Sequence, residues 1–306
     1  MAFSEVYTRQ VALLVRTLPF VAEEDCFALK GGTAINLFLR DMPRLSVDID
    51  LAYLPVAPRD ESLRAIDAAM KRIAGRIRGG LRGAKVNETA LKGEDTVYKL
   101  VVSLDGIQVI IEVTPVLRGS VFESETRSVS APVEDAYGFA EINTLSFADV
   151  YGGKIVAALD RQHPRDLFDI HALLENEGLD DRLREAFVVY LISHNRPMHE
   201  VLGSRQKDIA EEFERGFAGM TSAPVELSVL TDARARLVDA AITNMPGAHK
   251  EFLISFERGE ADWSRLSVDA IAELPAVQWR MQNLDGLAKE RRKELVSALE
   301  TVLSGK

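Results

Sequence analysis

The 306-residue chain has a single cysteine, Cys26, and five scattered histidines, none at H-E-x-x-H or comparable ligand spacing. An internal disulfide is excluded, and a cysteine- or histidine-built zinc site has no support. No stretch of 18 residues is free of charge, and the N-terminal MAFSEVYTRQ lacks both a basic n-region and an apolar h-region. A cytoplasmic protein with no membrane partner is therefore expected. There is no G-x-x-x-x-G-K-[ST], so a P-loop NTPase is unsupported. Positive charge is also short: 37 basic against 47 acidic residues leave a net charge of -10, which argues against a coat for nucleic acid. What is present is ordinary globular usage, 47% hydrophobic and 27% charged, which excludes collagen-like, mucin-like and disordered chains.

The length favours two domains. A first helix is expected over 4–17, ended by Pro19. The run Phe27-Ala28-Leu29-Lys30 then leads through Gly31-Gly32-Thr33 into a helix carrying Ala34, Ile35, Leu37, Phe38 and Leu39. Val47, Ile49 and Leu51 alternate with Asp48, Asp50 and Ala52, the period of a strand with one wet face. A basic helix is expected over 62–78, followed by strands near 85–89, 96–104 and 107–114, the last two joined by the hairpin signal Asp105-Gly106. Residues 115–146, rich in Ser, Thr, Pro and acids, read as the boundary. Beyond them helices are expected near 147–161, 164–176, 181–194, 207–217, 226–243, 248–257 and 284–303. The expected fold is thus an α/β N-terminal domain with a short mixed sheet, 1–145, and an all-helical C-terminal domain, 146–306, completing a nucleotide cleft.

The charge is uneven. From Arg59 to Lys85 there are eight basic and three acidic residues, either a solvated helix face or a local polyanion-binding surface.

Asp48 and Asp50, two apart on a strand, project from one face. Such a pair is either solvated or neutralised, and a hard divalent cation with oxygen ligands, Mg²⁺, is the natural neutraliser. Glu112, flanked by Val109, Ile110, Ile111 and Val113, is expected to be buried and hence to need a partner, and it would be a third ligand. Gly31-Gly32-Thr33 is either a plain tight turn or a helix start that receives a phosphate. Downstream, Lys154 is the one charged residue between Asp149 and Asp160. It either snorkels to water or meets a fixed anion. Pro164 and Asp166 suit a helix start by position and charge, and Asp169 shares the face of Asp166.

LKGGTAINLFLRDMPRLSVDIDL, with Gly-Gly-Thr opening a helix and Arg44-x-Ser46-x-Asp48-x-Asp50 after it, resembles the first motif of the AbiEii/AbiGii toxin group of the nucleotidyltransferase superfamily. Lys154 followed by R-x-x-x-R-D-x-x-D resembles that group's downstream motifs, so the likeness spans about 27–175. The superfamily's third acid, often Asp, matches Glu112 by strand context. The resemblance implies a toxin of a toxin–antitoxin system, of the kind used in phage defence, with a cognate antitoxin encoded nearby. It implies transfer of a nucleotide from an NTP to an RNA acceptor, with the tRNA 3′ end leading. It gives Asp48, Asp50 and Glu112 as Mg²⁺-binding catalytic residues, and Gly31, Gly32, Thr33 and Ser46 as nucleotide-binding. Lys154 would contact phosphates, and Asp166 would position Lys154 or the nucleotide. A protein hydroxyl or a small molecule is an alternative acceptor, and a non-catalytic binding protein on the same scaffold is the alternative from another class.

The remaining features read as structural. His171, His194 and His199 have no motif partner. Trp263 and Trp279 with Phe252 and Phe256 suit core packing better than base stacking, and Cys26 reads as an inert core thiol.

Overall fold

The computed structural model describes residues 5–305, so residue 4 of the expected first helix lies outside the described residues. The chain divides into two compact units: Met1–Ser146 with Gly219–Pro224, and Phe147–Ala218 with Val225–Lys306. Among the described residues no helix is long and apolar enough to cross a membrane.

The first unit opens with α1 (Glu5–Ala22), whose buried Val11, Leu14, Leu18 and Val21 recur at helical spacing. The expected stop at Pro19 is corrected. A proline in the last turn removes one backbone bond, and burial of Val21 on the same stripe carries the helix past it. Then come β1 (Phe27–Lys30), α2 (Gly31–Thr33), β2 (Asp48–Tyr53), α3 (Arg59–Gly80), β3 (Lys85–Ala90), β4 (Val97–Leu104) and β5 (Ile107–Arg118). After α2 the chain winds on through Ala34–Leu39 in wider π-type turns rather than the regular helix expected, with Asn36 Nδ2 donating to Gly32 O at 2.9 Å.

Residues 115–146 are no linker. They hold the end of β5, then β6 (Glu125–Ser128), α4 (Ala131–Tyr137) and β7 (Glu141–Thr144). Their polar composition hides an alternation in which Ile142 and Thr144 are buried while Glu141 and Asn143 are not. Among the described residues the sheet has seven strands in the order β3-β4-β5-β2-β1-β7-β6. The β2/β5 and β1/β7 pairs are parallel and the others antiparallel, so the sheet is mixed. At the β4–β5 hairpin Asp105 and Gly106 take positive φ, 51° and 78°, as the two-residue turn requires. Ile49 and Leu51 on β2, with Val109, Ile111 and Val113 on β5, are buried on one face, and α1 and α3 pack on this sheet. The residues between them along each strand, Asp48 and Asp50 on β2 and Ile110 and Glu112 on β5, are only part-buried on the other face.

The basic window on α3 is largely neutralised. Arg59 meets Glu94, Lys71 meets Asp67, Arg72 and Arg76 meet Glu24, and Arg78 meets Glu88. Among the described residues this leaves Arg64, Arg82 and Lys85 of the window without a carboxylate partner, so the helix face is mostly ion-paired rather than an open basic strip.

The second unit is built from α5 (Phe147–Asp160), α6 (Pro164–Asn176), α7 (Asp181–Ile192), α8 (Met198–Leu202), α9 (Ala210–Gly216), α10 (Leu227–Val238), α11 (Gly247–Arg258), α12 (Pro275–Asp285) and α13 (Lys289–Leu303). The helix expected over 284–303 is α13, which starts later, at Lys289, while α12 before it and the five-residue α8 were not expected from the sequence. α5 lies close against α7 because Gly152 has no side chain: a Cβ there would stand 2.9 Å from Ala186 Cβ. Buried Phe252 and Phe256 pack with part-buried Trp263 in tilted and edge-on contacts, centroids 5.3–6.1 Å apart, whereas Trp279 is exposed.

Glu24, in the α1–β1 turn, is 5% exposed and ties that turn to α3 through Arg72 (2.6 Å) and Arg76 (2.7 Å). Burial opposes its charge, but hydrogen bonds from both arginines outweigh this and hold its carboxyl below the usual range. A lowered folded-state value stabilises above the unfolded value, near 4.3, and that gain disappears as pH falls through the folded value. Glu24→Gln is expected to cost about 1–2 kcal/mol at pH 7, with the difference from wild type shrinking below about pH 4 in urea titrations.

Candidate active site

In the first unit the site is set by register. β2 runs parallel to β5 with Asp48 opposite Ile110 and Asp50 opposite Glu112. Side chains opposite one another share a face, so Asp48, Asp50 and Glu112 all rise from the face not covered by the core. Glu112 departs from expectation: its side chain is 41% exposed, and its Oε2 takes an ion pair from Lys99 Nζ on β4 at 3.1 Å. The apolar residues around it that suggested burial, Val109, Ile111 and Val113, point to the opposite face. Lys99 was missed from sequence, although counting back from the Asp105-Gly106 turn places it opposite Glu112.

The glycine turn meets β2 at its first residues. Gly31 has φ +72°, and a Cβ there would lie 2.7 Å from Asp50 Oδ2. A Cβ on Gly32 would lie 2.8 Å from Arg44 Nη2 and 2.9 Å from Ser46 Oγ. Both glycines are thus required by close approach of the motif's own side chains. Thr33 is fully buried. Its hydroxyl donates to the Asp48 carbonyl and pairs with Ser46 Oγ at 3.0 Å. Thr33 therefore anchors the start of β2, and a direct phosphate contact from its hydroxyl is not what these bonds provide. Arg44, 2% exposed, brings a guanidinium to the turn that sequence reading noted only as a motif letter.

The carboxylates are hard oxygen donors, the chemistry Mg²⁺ takes. Asp48 and Asp50 fit such an ion as a same-face pair. Among the described residues, however, no three Asp, Glu, His or Cys side chains stand together as a formed metal cluster.

In the second unit Lys154 (7% exposed) sits between two buried carboxylates, Asp166 Oδ1 at 2.8 Å and Asp169 Oδ2 at 3.0 Å. Arg161 closes the group, its Nε 2.6 Å from Asp166 Oδ2. Burial opposes ionisation of Asp166, yet the Lys154 ammonium and the Arg161 guanidinium overcome it and hold the carboxyl well below the usual range. Asp166 is thus in direct ion-pair contact with Lys154. Lys154 meets fixed anions rather than snorkelling, and these anions are the protein's own. The His163 ring caps α6, Nδ1 accepting from Arg165 N at 3.1 Å, a role its position before Pro164 could have suggested. Cys26, half-buried, has its thiol pushed up to about 11 by burial and the nearby Glu24, in keeping with an inert group.

A mixed sheet with alternate aspartates on β2, an acid on the adjoining parallel strand and a double-glycine turn beside them defines a nucleotidyltransferase-like fold. Residues 12–283 match the family described as nucleotidyl transferase AbiEii toxin, type IV toxin–antitoxin system, and the chain belongs to that family. It is a nucleotidyltransferase toxin, with a cognate antitoxin implied by the system. Among solved structures it is similar to MenT4, a nucleotidyltransferase toxin from Mycobacterium tuberculosis H37Rv, at 17% identity and a TM-score of 0.60, over 97% of this chain and 93% of that one. No curated protein matches the sequence.

Two outcomes follow from this geometry. Gly31→Ala forces a positive φ on a residue with a Cβ and drives it against Asp50. It is expected to cost about 1–3 kcal/mol in thermal melts and to reduce nucleotide transfer by more than the lost folded fraction. Asp166→Asn leaves Lys154 with one fewer buried counter-charge. It is expected to cost about 3–5 kcal/mol at pH 7, and because the folded-state value is lowered, the deficit narrows below about pH 4.

Proposed function

We propose that this toxin transfers an NMP from an NTP, with Mg²⁺, to an acceptor hydroxyl on RNA, the tRNA 3′ end leading. The observation carrying the reading is the same-face pair Asp48 and Asp50 on β2, beside a double-glycine turn that their own neighbours keep free of side chains. The acceptor oxygen forms a bond to the α-phosphorus as its proton passes to water, while the bond from the α-phosphorus to the α–β bridging oxygen breaks and pyrophosphate leaves with that electron pair. Asp48 and Asp50 would hold Mg²⁺, with Glu112 as third carboxylate. When bound, the ion neutralises triphosphate charge and lowers the pKa of the acceptor hydroxyl.

The chain's own residues position and neutralise. Gly31 and Gly32 make room for Asp50, Arg44 and Ser46 over the turn, whose backbone N–H groups would receive phosphate oxygens. Arg44 brings positive charge to the same turn, and Ser46 and Thr33 fix the start of β2 so that Asp48 keeps its direction. Lys154 and Asp166 carry over from the family's downstream motif as phosphate contact and positioning residue. Their mutual ion pair supports the second of these roles directly.

The tRNA acceptor is supported by family resemblance alone. Ion pairing of five of the basic residues on α3 favours a second reading, in which the acceptor is a protein hydroxyl or a small molecule. Incubation with α-labelled NTPs, Mg²⁺ and a cell extract distinguishes these. Label in RNA is expected for wild type, and label confined to protein or small molecules overturns the RNA acceptor. Asp48→Ala is expected to lower transfer at least 100-fold, about 3 kcal/mol of barrier, with an unchanged melt, and growth inhibition by the folded variant would overturn the catalytic reading.

A further inference from the structure

Four charged side chains form one row across four neighbouring strands: Lys99 on β4, Glu112 on β5, Asp50 on β2 and Lys30 on β1. Adjacent strands are about 4.8 Å apart, so register alone forces two carboxylates side by side, where like charges oppose one another. Lys99 Nζ lies 3.1 Å from Glu112 Oε2, and the Asp48 charge also acts on that ammonium. The lysine thus stands in the field of two of the three carboxylates proposed as metal ligands.

We propose that Lys99 competes with the divalent cation: its ammonium holds Glu112 until the ion displaces it, so that Lys99 weakens and sets the metal affinity of the Asp48–Asp50–Glu112 site. The inference rests on Asp48 and Asp50 being the metal-binding pair. Both partners are partly open to water, 29% and 41%, so the ion pair is weak and readily exchanged. A lysine suits exchange, being a point charge on a flexible stem. The pair is dispensable for the hairpin, which the Asp105-Gly106 turn and the rest of the β4–β5 ladder already hold in register.

The test uses the full chain without nucleotide and titrates Mn²⁺, reading the free ion by electron paramagnetic resonance. Lys99→Met is expected to bind Mn²⁺ about fivefold to tenfold more tightly than wild type, and Lys99→Arg, which keeps the charge, to behave as wild type. In a Glu112→Gln background most of the gain from Lys99→Met should disappear. Unchanged or weaker binding by Lys99→Met with an unaltered melt overturns the proposal. If that variant does not fold, Lys99→Gln carries the same expectation. Asp48→Asn separates the two levels: wild-type Mn²⁺ affinity in this variant defeats the metal-site reading itself, whereas lost binding there with no gain in Lys99→Met defeats only the role of Lys99.

Discussion

The structure depends on a parallel pairing between two strands far apart in sequence. β2 and β5 set Asp50 against Glu112, and the same ladder sets Ile49 against Ile111 and Leu51 against Val113 on the other face. A slip of one residue would put the carboxylates into the core and the aliphatic residues into water. Burial of those aliphatics therefore holds mutually repelling carboxylates together. The site is maintained by hydrophobic burial on the reverse of the same strands, not by attraction among its own groups.

Local chemistry completes what register begins. The double glycine is explained by what stands over it: Asp50 at Gly31, Arg44 and Ser46 at Gly32. The Thr33 hydroxyl, fully buried, bonds to the backbone of Asp48 and so couples the turn to the strand. The motif is thus a set of mutual contacts in which each conspicuous residue restrains another. That interdependence explains why glycine, hydroxyl, arginine and aspartate occur together within twenty residues.

The second unit treats charge differently. Lys154, Asp166 and Asp169 are almost wholly buried, and Asp166 keeps its charge because the lysine and Arg161 offset the cost of its desolvation. Removing one member of such a group leaves another uncompensated, so Lys154 and Asp166 bear on folding. In the first unit, by contrast, the Lys99–Glu112 pair is open to water and free to exchange.

Much was legible in the sequence because it is local. Period-two alternation marked β2, Asp105-Gly106 marked the β4–β5 hairpin, and helical spacing marked most of the later helices. The Gly-Gly-Thr and D-x-D strings, with the lysine and R-D-x-x-D, carried the family. What depended on distant partners was not legible. The polar run 115–146 proved to hold β6, α4 and β7, because short strands become evident only through the neighbours they pair with. The α3 cations found acids on other segments. Glu112, expected in the core from its apolar neighbours, faces outward to Lys99. Sequence by itself determined which residue types could do the chemistry and which of them share a strand face, since those follow from backbone periodicity. Tertiary structure alone decided which charges meet, because pairing energies depend on distance and burial, and both are set by segments remote along the chain.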